Sequence, residues 1–179
     1  MNEQPDSKGA STSPTFVEDL FLTDVFLVKG RVPNKNKRLT NLLEDYNRTF
    51  LHVQDATLVS LRNDEVIRTP SVMVNIREVI LAHELVEVAG DETQRRLASG
   101  QGKSSRIRAF YNGLVQFELA GHIESGAYES LPVANRRWFI MQKPAVRGLD
   151  LAHPELALLK NLEYAIVRRD RMAYVYDFG

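Results

Sequence analysis

Two stretches of the chain share one pattern of apolar and polar positions. Phe26-Leu27-Val28-Lys29-Gly30-Arg31-Val32 and Phe117-Glu118-Leu119-Ala120-Gly121-His122-Ile123 each set a Phe, an aliphatic, a Gly and a β-branched residue on alternate positions. Period-two spacing sends all four side chains to one face of a strand. Glycine weakens a strand interior, so its presence points to a bend or to a close approach by a neighbour. Leu39, Leu42 and Leu43 fall at i, i+3 and i+4, which predicts about one helical turn lying over a barrel mouth or sheet edge. Phe50 to Leu61 predicts a strand, or two if Gln54-Asp55 bends it, and Arg62-Asn63-Asp64-Glu65 a turn. Val72-Met73-Val74 and Val79-Ile80-Leu81 read as strands by β-branched content, with a helix from Val72 to Val88 as the competing reading. Residues 15–22 fit either a short helix capped by Ser13 or a strand through Leu20-Phe21-Leu22. Met172, Tyr174, Tyr176 and Phe178 alternate, predicting a last strand held by an aromatic face.

The similarity between the two stretches extends along the chain. Arg48–Ala56 lines up with Arg137–Ala145, and Asn75–Leu81 with Asn161–Val167, in the same order. Seven identities in 35 paired positions are too few to carry a duplication, so the argument rests on order, spacing and matched apolar class. Polar, small-residue composition marks residues 1–14 as a disordered tail and 89–105 as a linker. The expectation is a mainly β chain of two small β-barrel units, 15–88 and 106–179, packed as a pseudo-symmetric pair. A unit of that size buries only a small core and is marginal alone.

Gly30-Arg31-Val32, Arg38-Leu39-Thr40-Asn41-Leu42-Leu43, Phe50–Ala56 and Val72-Met73-Val74-Asn75 together resemble a family of short bacterial β-domains that are uncharacterised. More distantly they are similar to the Sm-like small barrels, where a curved strand bends at a Gly and an apolar-Asp-Ala segment follows. The resemblance covers about 60 residues, and more faintly Val115 to Asp170. It implies a tandem of Sm-like small barrels. The Asp-x-x-Met-Asn turn and the Arg-Gly pair of Sm proteins are missing here, so the resemblance implies a fold and not their RNA binding.

Composition narrows the chemistry. The 179 residues carry 23 basic and 23 acidic side chains, so no net field draws the chain to nucleic acid or membrane. With no cysteine, disulfides, thiolate metal sites and thiol nucleophiles are excluded. No apolar run reaches the length of a membrane span, and Met1–Asp6 lacks the features of a secretory signal, so cytoplasmic residence is expected. His52, His83, His122 and His153 show no ligand spacing, and Gly100-Gln101-Gly102-Lys103-Ser104 lacks the earlier Gly and buried strand of a phosphate loop.

The candidate binding residues are the basic clusters: Lys35, Lys37 and Arg38; Arg136 and Arg137 beside Trp138; and Arg168, Arg169 and Arg171. Cations next to aromatic residues can hold single-stranded nucleic acid through phosphate contacts and stacking. The leading expectation is nevertheless a non-enzymatic binding or assembly module without cofactor or metal, acting on a protein partner or on itself. RNA or single-stranded nucleic-acid binding through the basic loops is the alternative. An enzyme with its site between the two units is the second.

Overall fold

The computed structural model describes residues 18–33, 35, 38–63, 65–85, 103–129 and 136–179. The expected tail at 1–14 lies outside these residues, as does the expected linker over 89–102. The linker's last two residues, Ser104 and Ser105, already belong to a strand.

The chain is mainly β, with strands β1 (Glu18–Leu22), β2 (Phe26–Arg31), β3 (Phe50–Ser60), β4 (Val66–Asn75), β5 (Leu81–Glu84), β6 (Ser104–Asn112), β7 (Gln116–Glu124), β8 (Trp138–Arg147), β9 (Tyr164–Arg168) and β10 (Tyr174–Asp177). The expected turn of helix is α1 (Leu39–Leu43), burying Leu39, Leu42 and Leu43. Short 3₁₀ turns occupy Ile76–Glu78, Leu156–Asn161 and Arg169–Arg171. The strand reading holds for Leu20-Phe21-Leu22. The helix from Val72 to Val88 does not form over the described residues: β4, the first 3₁₀ turn and β5 stand there instead.

All ten strands of the described residues join one antiparallel sheet in the order β10-β6-β7-β8-β9-β5-β1-β2-β3-β4. Two separate closed barrels are therefore not present. The continuity comes from a ladder in the middle, where Leu81 pairs with Val167 and Ala82 with Ile166. The core is shared accordingly. One apolar cluster joins Leu20, Leu22, Leu27, Ile80 and Leu81 to Ile107, Leu119, Phe139 and Val167. The other joins Phe21, Val28, Leu51, Val53 and Ala82 to Trp138 and Ile166. β1 sends Leu20 and Leu22 into the first and Phe21 into the second, so both its faces are dry. This explains an unbroken apolar run in place of alternation.

The sheet nonetheless has two matched halves. One half runs β5-β1-β2-β3-β4 and the other β10-β6-β7-β8-β9. In each half the first strand pairs with the second, the second with the third and the third with the fourth, while the fifth returns beside the first. β2 and β7 each shift register at one point, between Lys29 and Arg31 and between Ala120 and His122. Opposite these shifts Asp55 and Lys143 hold φ of 47° and 46°. A five-residue connection, 76–80 in one half and 169–173 in the other, links strands at opposite ends of a half. A connection this short curls each half.

The registers correct two of the sequence pairings. Gly30 and Gly121 do match. Phe50, however, corresponds to Trp138 rather than Phe139, because Gln54 faces Arg31 as Gln142 faces His122. Asn75 corresponds to Arg168 rather than Asn161, since each leads into the three-residue 3₁₀ turn after the fourth strand. The 3₁₀ segment Leu156–Asn161 has no counterpart in the first half. It displaced the sequence alignment there.

Candidate assembly interface

The structure places the basic candidates individually. Lys35 is not on an open loop. Its Nζ lies 2.6 Å from Asp19 Oδ1 and 2.5 Å from Glu84 Oε1, with its side chain only 7% exposed. Lys37 is outside the described residues. Arg38 stands at the start of α1, where its carbonyl accepts from Asn41 and Leu42. The remaining five gather where β8 begins and β9 ends, since Trp138 pairs with Arg168 and Arg169 N–H donates to Arg137 O.

Most of that group is engaged internally. Arg168, expected on a loop, is buried at the end of β9. It donates to Ile76 O at 2.7 Å and makes a two-pronged contact with Asp170 at 2.5 and 2.7 Å. That contact holds the Asp170 carboxyl below its ordinary value. Arg137 donates to Leu43 O at the end of α1 and lies over the Tyr46 ring at 4.2 Å. The Glu44 carboxylate accepts the backbone N–H groups of Arg137 and Trp138, fixing α1 to the start of β8. Arg169 donates to Glu129 O, and Arg171 reaches Glu78 and Asp24. Arg136 is exposed.

The Lys35 cluster was not legible in the sequence, because it needs β1, β5 and the segment after β2 to meet. Asp19 and Glu84 face each other across the β1–β5 ladder, so two carboxylates share one ammonium. Burial raises Asp19 to about 6 despite the opposing pull of Lys35. Burial also lowers His83, which stands edge-on to Tyr164 at 4.7 Å. Enclosed this fully, the cluster ties three segments together and presents no surface to a substrate. Among the described residues no group of three or more His, Cys, Asp or Glu is placed to hold a metal.

Exposed apolar side chains lie elsewhere. Ile67 and Met73 stand on β4, and Tyr174 and Tyr176 on β10 with Phe178 just beyond. Among the described residues only Tyr46, Phe50 and Leu114 are exposed large apolar residues off these strands, and Phe50 sits beside β4 opposite Asn75. Among the described residues, β4 and β10 are the two ends of the sheet. The aromatic residues of β10 thus point outwards, where the sequence reading had them hold the strand. Val175 packs on the core in their place.

Both edges present backbone groups. Ile76 N–H donates to Thr49 O, and alternation then turns the N–H groups of Ser71, Met73 and Asn75 away from β3. Phe178 N–H donates to Arg106 O, which turns those of Val175 and Asp177 away from β6. Natural sheets usually protect such edges with Pro, Lys or a bulge. On β4 the charged Arg68 guards the first part, while Pro70, whose nitrogen faces β3, removes no outward donor, and Ser71-Val72-Met73-Val74-Asn75 carries no charge. Tyr174-Val175-Tyr176-Asp177 is protected only by its shortness and by one charge, Asp177, at its last position. Beside β10 a cleft of about 510 Å³ opens, with Phe110, Phe117, Arg147 and Tyr174 in its lining.

No family model, curated protein or solved structure matches the chain. No helix among the described residues is long and apolar enough to cross a membrane.

Proposed function

We propose that this chain is a non-enzymatic assembly module of the cytoplasm that joins other protein by adding β-strands at its sheet edges. In this reading the two halves are copies of one curled five-stranded unit of the small-barrel kind, kept for their fold. The carrying observation is that the exposed large apolar residues concentrate on the two terminal strands, whose backbone donors point outwards. Strand addition uses both features, backbone hydrogen bonds for affinity and alternate side chains for selectivity. The shared core and matched glycines support a constraint of architecture. The basic residues support the nucleic-acid alternative less well, since carboxylates already meet Lys35, Arg137, Arg168 and Arg171.

Purifying the tagged protein from its own cells, with and without nuclease, tests this. Bound protein should survive nuclease, be lost from a Met73→Lys/Tyr174→Lys double variant and persist with Arg136→Gln/Arg169→Gln. Recovery that depends on nucleic acid, falls steeply with salt and is lost from the arginine variant would instead establish the alternative.

A further inference from the structure

We infer that the edge strand β10 of one molecule pairs with β4 of a second copy, head to tail, repeating the junction that β5 and β9 make inside the chain. The inference rests on the edge-assembly reading and names the partner.

The matched registers supply the argument. β4 holds in its half the position that β9 holds in the other, and β10 the position of β5. The β9–β5 ladder is therefore a contact between the fourth strand of one half and the fifth strand of the other. A fourth strand, β4, and a fifth strand, β10, are left over at the two ends. The molecule carries both sides of a contact it already makes once.

Exposure follows this correspondence. Ile166 on β9 is 1% exposed, and its counterpart Met73 on β4 is 56% exposed. Leu81 on β5 is 0% exposed, while its counterpart Tyr174 on β10 is 72% exposed. Leu22, also fully buried, corresponds to Phe110. Phe110 and Tyr174 line the open cleft, so the cleft lies where the inner junction covers the other half.

Register follows from the inner ladder. Leu81 opposite Val167 becomes Tyr174 opposite Val74, and Ala82 opposite Ile166 becomes Val175 opposite Met73. Arg168 N–H donates to Ile80 O at 2.9 Å, which becomes Asn75 N–H to Ala173 O of the next copy. The N–H groups of Met73, Asn75 and Val175, turned outwards, are those this register uses. β10 ends at Asp177, so the ladder runs no further along β4 than Ser71. The pairing between copies lacks one inner support: Arg168 reaches Ile76 O across the inner junction, whereas Asn75 turns its side chain back to Arg77 N–H. The contact is therefore weaker than the inner one and depends on concentration.

A contact of this kind is heterologous, so repetition closes a ring or extends a fibre according to the rotation per step. It also permits a complementation test. Met73→Lys blocks only the β4 side and Tyr174→Lys only the β10 side, and both positions are exposed, so circular dichroism and melting should match wild type. By light scattering or mass photometry across a concentration series, wild type should exceed the 20.3 kDa chain mass. Each single variant should fall to one copy, and an equimolar mixture should give a species of twice that mass through the two intact edges. A wild-type chain that stays single at high concentration overturns self-pairing. Loss of a different bound protein from the edge double variant would then keep the edge reading alive. Wild-type assembly that both folded variants retain overturns the pairing and the edge reading together.

Discussion

Gly30 and Gly121 lie under the same pressure in the two halves. A Cβ on Gly30 would sit 2.6 Å from Val53 Cγ1 and 2.7 Å from Gln54 O. On Gly121 it would sit 2.6 Å from Met141 Cγ and 2.8 Å from Gln142 O. The side chains could shift, but the carbonyl belongs to the next strand of the ladder. Gly30→Ala and Gly121→Ala should each cost about 1–3 kcal/mol in urea unfolding. A neutral result at either position would mean that the ladder yields there. Asp19 gives a pH signature. Its carboxyl rises from 3.8 to about 6 on folding, so the folded state favours the protonated form. The resulting stabilisation is full below the unfolded value and lost as pH rises through the folded one. Asp19→Asn removes the titration. The stability of wild type relative to the variant should fall by up to about 3 kcal/mol between about pH 4 and about pH 7. A difference independent of pH would show that Lys35 compensates burial completely.

Among the elements, β9 differs most from what its sequence suggests. Arg168-Arg169-Asp170-Arg171 reads as a charged loop, yet its first residue ends a strand buried between the halves. The Arg168 guanidinium is 5.6 Å from the Trp138 ring centre, bonded to Asp170 and to the carbonyl of Ile76. Removing a buried charge that three partners satisfy leaves those partners unpaired. Arg168→Gln should cost about 3 kcal/mol. Arg136→Gln, on the exposed side of the same cluster, should stay within about 0.5 kcal/mol. Thermal or urea melts of both variants make the comparison, and equal small losses would return Arg168 to the status of a surface cation. Simultaneous replacement of Arg168, Arg169 and Arg171 is thus a poor probe of anion binding, because the fold is disturbed by its first member.

The whole molecule depends on the inner junction. Leu20, Leu22, Leu27, Ile80 and Leu81 of the first half complete a cluster with Ile107, Leu119 and Phe139 of the second. Residues 18–85 alone would expose that face to water, and so should remain unfolded or aggregate. Adding a 103–179 fragment should restore structure. Dispersed amide resonances from the isolated first fragment would contradict the shared core. The same dependence gives the terminal edges their meaning, since the apolar positions covered in the middle of the sheet lie open at its ends.

The sequence by itself determined the β class, α1, β2, β3, β7, the strand at the chain's end and the paired glycines. Alternating side chains and glycine sterics act within a few residues and therefore show in a local pattern. It left open whether Gln54-Asp55 divides the strand: β3 runs unbroken through it, with Asp55 in a left-handed conformation. β6 went unread, because Ser104 and Ser105 continue the polar composition before them. The third matching block was set out of register by the Leu156–Asn161 segment, which only one half possesses. Only the tertiary structure decided that the halves form one sheet rather than two closed barrels, and that Lys35 and Arg168 are enclosed. Edge pairing and the burial of a charge depend on which distant strands meet. The local pattern of apolar and polar residues carries no record of that meeting.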